Sequence, residues 1–197
     1  MREPYARVLV VCEGQRTEPN YVNGLKSAHN LSSADVRVLQ SPQSDPLGIV
    51  NYAIAELDRD SDIDRAFCVF DRNGHATFDE ATRRLEQSPH SQNGRIEAIT
   101  SWPCFEVWLL LHYQYSTKSY VPESGRSACD NVIRELRNHL PEYVKSHKDC
   151  YKILAAMLDK APAHAEQLEK HNVQSSSSNP GTKMHRLVKF LIEMRKR

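Results

Sequence analysis

Two carboxylates in the sequence stand where an apolar run ends. Glu13 follows the run VLVVC, and Asp71 follows the run AFCVF. Two like charges brought close resist ionising together, and a divalent cation between them relieves that conflict. Oxygen ligands without cysteine favour Mg²⁺ or Mn²⁺. The pair therefore predicts a magnesium or manganese site, provided that the two runs are neighbouring strands.

Further polar side chains follow Asp71 in the sequence. Asn73 can offer its amide oxygen to the same ion, and His75 is a candidate general acid or base. Each acid also has a purely structural interpretation, since a carboxylate at a strand end often caps the next turn and an Asp-turn is ordinary in DRNGH. Two acids at equivalent positions of two runs favour the metal site over these alternatives.

The runs that carry these residues predict a parallel sheet. Short, β-branched apolar runs indicate buried strands, and stretches with apolar residues at helical spacing lie between them. The predicted strands are residues 7–12, 35–40, 65–70 and 95–100. One predicted helix starts at Thr17 as its cap, and three others span residues 45–58, 76–87 and 105–113. This alternation is typical of an α/β fold, in which ligands bind beyond the carboxyl ends of the strands.

The second part of the chain differs from the first. Its predicted helices are residues 128–140, 148–159, 163–171 and 183–197, broken by Pro141 and Pro162, and residues 174–182 (QSSSSNPGT) predict a polar loop. We therefore expect an α/β core with a parallel sheet of about four strands flanked by helices at residues 1–115. A helical C-terminal extension at residues 116–197 is expected to pack on that core.

Charge, cysteines and hydropathy narrow the class of protein. The 26 basic residues almost balance the 25 acidic ones, so any contact with nucleic acid needs a local basic patch. The five cysteines form no C-x-x-C pair, which argues against a zinc site or a disulfide framework. The N-terminus is polar, and no apolar run approaches the roughly 18 residues of a membrane helix. We expect a cytoplasmic protein, in a reducing compartment, without a membrane partner.

Four segments, taken together, resemble the RloB-like family. They are CEGQRTEPNY at 12–21, VFDRNGH at 69–75, SWPCFEVWLLLHY at 101–113 and SNPGTKMHRLV at 178–188. The family belongs to the Toprim-like group, whose fold is a small parallel α/β sheet and whose members occur in topoisomerases, primases and OLD-type nucleases. The resemblance implies a phage-defence component, found near restriction systems or beside an ATPase partner in abortive infection.

The resemblance also implies roles for particular residues. Glu13 matches the glutamate at the end of the first strand, and Asp71 matches the first aspartate of the Asp-x-Asp motif. Asn73 stands in place of the second aspartate, a departure that predicts weaker metal binding because an amide oxygen carries no charge. Glu18 belongs to the family signature and is either a further metal ligand or a residue that opposes the positive end of its helix.

Three more side chains are candidates, together with a helix cap. Glu106, in FEVWLLL, is a candidate catalytic residue because a buried, unpaired glutamate is costly, although a buried pair with Arg or Lys would also explain it. His112 is expected to be a core or helix-end histidine. Thr182 is expected to cap the last helix, and whether His185 reaches the metal site is left open.

Two functions from different classes fit these residues. The first is a metal-dependent nuclease of DNA or RNA in anti-phage defence, in which Glu13, Asp71 and Asn73 hold Mg²⁺ or Mn²⁺ and an ATPase acts as partner. The second is a catalytically weak or inactive binding subunit that works through its partner, favoured by Asn73. A purely structural subunit is a weaker third hypothesis, and a homo-oligomer is left open.

Overall fold

Five strands form one mixed sheet in the computed structural model, which describes residues 6–72 and 75–194. The strand order is β2-β1-β3-β4-β5. The strands are β1 (Val8–Cys12), β2 (Val36–Gln40), β3 (Arg65–Asp71), β4 (Ile96–Trp102) and β5 (Gly181–Thr182). Strands β1 to β4 are parallel, and β5 runs antiparallel to β4. The predicted α/β fold with a parallel sheet is confirmed.

Helices cover both faces of this sheet. They are α1 (Thr17–Ala28), α2 (Pro46–Arg59), α3 (Phe78–Glu86), α4 (Pro89–Gln92), α5 (Glu106–Leu110), α6 (Ala128–Leu136), α7 (Cys150–Leu154), α8 (Lys160–Ser175) and α9 (Met184–Met194), with a 3₁₀ turn at Ala155–Met157. Among the described residues, no helix is long and apolar enough to cross a membrane.

The central strands are buried on both faces, which is why they are apolar at consecutive positions. Val8, Val10 and Cys12 of β1 face a cluster with α1 and the helices of the second part of the chain. Leu9 and Val11 face a second cluster with α2 and α3. Residues from both sides of position 115 share the first cluster. The division of the chain at that position stays a prediction.

Three local predictions were wrong. Residues 181 and 182, predicted as loop, form β5, because Ser101 and Trp102 of β4 supply their pairing partners. Pro162 does not break a helix, since α8 begins at Lys160 and a proline in the first turn removes an N–H that has no helical partner anyway. The predicted helix at 105–113 is shorter and ends at Leu110.

The strand order places the two predicted acids at one edge. Strand β1 pairs directly with β3, with Cys12 opposite Val69. The pairing continues one residue further, since the backbone N–H of Glu13 donates to the carbonyl of Val69 at 2.9 Å. Glu13 and Asp71 therefore leave the sheet side by side at its carboxyl edge.

Candidate functional site

A cavity of about 660 Å³ opens at the carboxyl edge of the sheet. Its lining includes four acidic residues, and these are Glu13, Glu18, Asp71 and Glu106. All four are acids that the sequence analysis singled out: Glu13 directly follows β1, and the others lie in α1, β3 and α5. His75, Arg16 and Lys145 also line the cavity.

Glu13 is held by both of its carboxylate oxygens. Its Oε2 accepts the backbone N–H of Asp71 at 2.8 Å, and its Oε1 lies 2.8 Å from Nε2 of His75. The first contact locks the carboxylate to the end of β3. The second contact places His75 at the cavity beside Glu13. Each carboxylate oxygen has two lone pairs, so both contacts leave capacity for a further partner.

Glu18 lies in the first turn of α1 and folds back over the glycine turn. A Cβ atom at Gly14 would stand 1.9 Å from Oε2 of Glu18, so the absence of a side chain at Gly14 creates the space for this carboxylate. Burial, together with the charges of Glu106 and Glu13, raises the pKa of Glu18 to about 7. A role limited to opposing the positive helix end would favour the charged form, and this environment does the opposite.

Asp71 shares the same electrostatic environment. Burial is the largest cause that raises the pKa of its carboxyl well above the usual range, followed by the charges of Glu18, Glu106 and Glu13. Lys145 acts in the other direction and lowers the pKa of both Asp71 and Glu18. The neighbouring carboxylates thus disfavour the ionisation of Asp71 and Glu18, a conflict that a divalent cation would relieve.

Glu106 is 2% exposed, and its carboxylate lies near a tyrosine, a lysine and a cysteine. The hydroxyl of Tyr143 donates to its Oε1 at 2.9 Å, and Nζ of Lys145 lies 3.9 Å from the same oxygen. Its Oε2 lies 3.4 Å from Sγ of Cys129. Both interpretations of this buried glutamate are therefore compatible with its position, since it lines the cavity and also has a lysine nearby.

The donor chemistry of the cavity fits a hard divalent cation. Glu13, Glu18 and Asp71 offer carboxylate oxygens, which Mg²⁺ and Mn²⁺ prefer. Asn73, predicted as a weaker ligand, lies outside the residues that the structure describes. The donor types of Glu13, Glu18 and Asp71 would therefore suit such an ion without a contribution from cysteine.

Lys145 is a residue that the sequence analysis missed. It lies in the segment between α6 and α7, far in sequence from the strands, and its side chain is 60% exposed at the cavity. The hydroxyl of Thr17 donates to the backbone carbonyl of Lys145, which ties this segment to the start of α1. The predicted Thr17 cap was wrong for the same reason, because Thr17 is the first residue of α1 and its hydroxyl is used by Lys145.

The two histidines of uncertain role do not line the cavity. His112 is fully buried, as expected for a core histidine: it lies 3.2 Å from the hydroxyl of Tyr21, and burial lowers its pKa to about 4. His185 pairs with Glu169 at 3.3 Å, away from the cavity. Thr182 does cap α9, since its Oγ1 accepts the N–H of Met184 at 3.2 Å.

The expectation that the cysteines form no disulfide was wrong for one pair. Cys104 and Cys129 are bonded, whereas Cys12, Cys68 and Cys150 are free and buried. The two bonded sulfur atoms and an oxygen of Glu106 lie within 4.8 Å of one another, a grouping that could hold a metal ion. Sulfur atoms that are bonded to each other are not thiolates, so this grouping offers no thiolate ligands in the oxidised state.

Comparisons with known proteins agree with the resemblance of the four segments. A search among curated proteins finds no match. The family model described as "RloB-like protein" matches residues 8–191, from the first residue of β1 into α9. This match covers nearly the whole chain and includes every acid of the cavity. The protein therefore belongs to the RloB-like family.

Proposed function

We propose that the protein is a metal-dependent phosphodiesterase that cleaves DNA or RNA. The observation that supports this most strongly is the convergence of Glu13, Glu18, Asp71 and Glu106 on one cavity at the carboxyl edge of a parallel sheet. Glu13, Glu18 and Asp71 would hold Mg²⁺ or Mn²⁺, assisted by Asn73. When bound, such an ion polarises a phosphoryl oxygen and lowers the pKa of a water molecule.

The cationic residues of the cavity suit a phosphodiester. Lys145 and the exposed Arg16 are at its lining, so they can attract and orient a phosphate beside the carboxylates. The net charge of the chain is +1, so this local pair provides the basic character that the composition as a whole lacks. Lys145 also offsets part of the repulsion among the acids, since its charge lowers the pKa of Glu18 and of Asp71.

Two side chains are placed to move protons. His75 holds its Nε2 at 2.8 Å from Glu13 and can donate a proton to the leaving oxygen. Glu106 is the candidate to accept a proton from the attacking water, with Tyr143 and Lys145 fixing its carboxylate from one side.

The proposed biological role follows from family membership. We infer an anti-phage function in the cytoplasm, in which an ATPase partner controls the cleavage. This part of the proposal rests on what the family resemblance implies, whereas the phosphodiesterase activity rests on the cavity. The two parts are tested separately, because the cavity can be assayed without the partner.

The direct test is a cleavage assay with purified protein. Plasmid DNA and total tRNA are incubated with Mg²⁺ or Mn²⁺, with and without the ATPase partner. Glu13→Gln is compared with Glu166→Gln, which changes a partly exposed acid of α8 outside the cavity. We expect cleavage that Glu13→Gln abolishes and Glu166→Gln leaves unchanged. Cleavage that survives Glu13→Gln would contradict the site assignment.

A second candidate function is a subunit that binds but does not cut. It is favoured by Asn73, which stands in place of a second aspartate and offers an uncharged oxygen. This alternative predicts calorimetric binding of Mn²⁺ that Asp71→Asn removes, together with no cleavage of either nucleic acid even when the partner is present.

A further inference from the structure

The Cys104–Cys129 disulfide lies directly beside Glu106. Cys104 precedes Glu106 by two residues, and the bond joins it to Cys129 on α6, across 25 residues of chain. Both cysteines are buried, and Sγ of Cys129 lies 3.4 Å from Oε2 of Glu106. An oxidisable bond is thus in contact with an acid that lines the proposed catalytic cavity.

The redox state of this pair changes what Glu106 can bind. A disulfide sulfur carries no hydrogen, so in the oxidised state Cys129 cannot donate to Oε2. A free thiol has one S–H and is a weak donor. After reduction, Cys129 can therefore donate to Oε2 of Glu106, while Tyr143 continues to donate to Oε1.

The disulfide also fixes the helix that carries Glu106. Helix α5 has five residues and begins at Glu106, so the bond at Cys104 anchors its start to α6. Removing the bond leaves only non-covalent contacts between the two helices. Both effects favour higher activity in the oxidised protein, because the disulfide positions Glu106 and leaves its Oε2 without a thiol donor.

We propose that the Cys104–Cys129 pair is a redox-controlled modification site that sets the activity of the cavity through Glu106. In the reducing step a dithiol supplies two electrons and two protons. The Cys104–Cys129 bond breaks, each sulfur takes up one proton, and the dithiol becomes a disulfide. The reverse reaction uses a small-molecule disulfide as oxidant. In reducing compartments, disulfides of this kind are usually transient and regulatory.

The inference rests on the proposed function for its effect on cleavage, but the bond and its contact with Glu106 can be tested independently. Protein treated with a small-molecule disulfide or with a dithiol is denatured and alkylated, and its thiols are counted by mass spectrometry. We expect three reactive thiols in the oxidised protein and five in the reduced protein, from the five cysteines of the chain. Five thiols in both would overturn the inference.

The second measurement observes Glu106 itself. The carboxyl ¹³C resonance of Glu106 is assigned by its disappearance in Glu106→Gln and compared at one pH in oxidised and reduced protein. We expect it to move on reduction. Cys104→Ser, which keeps the Cys129 thiol, should match the reduced protein under both conditions, whereas Cys129→Ala should not. A resonance that is identical in oxidised and reduced protein contradicts the role of Cys129.

The third measurement is the rate of cleavage. We expect the oxidised protein to cleave about three- to tenfold faster than the reduced protein, an effect of the size of one hydrogen bond. Cys104→Ser should be slow and insensitive to oxidant. Cys68→Ala, which removes a free cysteine facing the α2 and α3 side of the sheet, should keep the redox response.

The outcomes separate the two proposals. Equal cleavage by oxidised and reduced protein overturns the redox inference and leaves the phosphodiesterase proposal standing. No cleavage in either state overturns the phosphodiesterase proposal, and the thiol count and the Glu106 resonance then decide the redox inference without it.

Discussion

The acidic cavity and the ionic surface formed by α8 and α9 contain the same residue types, but the surface pairs its acids with cationic residues and the cavity groups four acids together. We call the second region the C-terminal ionic surface; its residues are Glu166, Glu169, His185, Arg186 and Lys189. There, Arg186 and His185 contact Glu169, and Lys189 contacts Glu166. In the cavity, four acids line one space, with Lys145, Arg16 and His75 as the basic residues.

The pKa shifts of the two regions have opposite signs. A hydrogen bond from Lys189 is the largest cause that lowers the pKa of Glu166, whereas burial is the largest cause that raises the pKa of Glu18. The paired surface thus favours the charged form of Glu166, whereas the cavity disfavours the charged forms of Glu18 and Asp71. Acids that cost stability where they stand are candidates for binding or catalysis, and acids that have exposed cationic partners are adequately explained by the packing of two helices.

Substitution of Asp71 should have the largest effect. Asp71→Asn removes one ligand charge, so we expect Mn²⁺ binding to be lost and cleavage to fall by about 100-fold or more. Without metal, the variant should be more stable than the wild type because one source of repulsion is gone. Calorimetry, a cleavage assay and thermal unfolding measure the three effects. Glu169→Gln is the matched control and should leave metal binding unchanged.

The second largest effect is expected in the pH dependence of the stabilisation by a bound metal ion. The carboxyl of Glu18 has a pKa of about 7 in the folded protein and near 4.5 when unperturbed. Between these values the folded protein holds a proton that the unfolded chain lacks, so the unfolding free energy of the metal-free protein falls as pH rises. A metal ion displaces this proton and binds better at high pH.

Saturating Mg²⁺ should therefore raise the Tm by about 5 °C or more at pH 8 and by less at pH 6. Thermal unfolding at both pH values measures the difference. Glu18→Gln should reduce the difference between the two pH values. A metal effect that is larger at pH 6 than at pH 8 would show that Glu18 is not a ligand.

Two glycines, one before α1 and one within it, should separate an effect on metal binding from an effect on stability. Gly14→Ala would push the Glu18 carboxylate away, because the new Cβ would lie 1.9 Å from its Oε2. We expect metal affinity about tenfold weaker with little change in stability, since the displaced atoms are the end of a flexible side chain. Gly24→Ala, whose Cβ would lie 2.6 Å from Cβ of Tyr151, should lower stability and leave metal affinity unchanged. The reverse pattern, measured by calorimetry and thermal unfolding, would contradict this placement of Glu18.

The smallest effect is expected at the C-terminal ionic surface. Arg186→Gln removes contacts with Glu169 and Glu97, and the Arg186 side chain is 43% exposed. The unfolding free energy should fall by less than about 1 kcal/mol, since exposed ion pairs contribute little. Chemical denaturation measures the change, and metal binding should stay at the wild-type level. A loss of metal binding would show that the two regions are coupled.

The sequence was informative where local pattern decides structure. The apolar runs predicted strands β1 to β4 within two residues at each end, and the acids at their ends predicted the edge where the cavity opens. Glu18 was selected as a candidate from the family resemblance, and Glu106 was selected because a glutamate in an apolar segment is costly to bury.

Contacts between distant segments were not predictable in this way. Lys145 stands in a polar segment with no periodic signal, and its position depends on a hydrogen bond to Thr17 that no local pattern encodes. Cys104 and Cys129 lack the spacing of a known motif, and β5 has two residues whose partners are in β4. Each of these features depends on chain segments that meet through tertiary packing.

The origin of Lys145 in the second part of the chain has a consequence for synthesis. A ribosome delivers the N-terminal part of a protein first, at roughly 5–20 residues per second. The four acids of the cavity are therefore made before Tyr143, which follows Glu106 by 37 residues, and before Lys145. A nascent chain that has just passed Glu106 carries the repelling carboxylates without this lysine. The cavity therefore reaches its final charge balance late in translation, after the sheet strands β1 to β4 have been made.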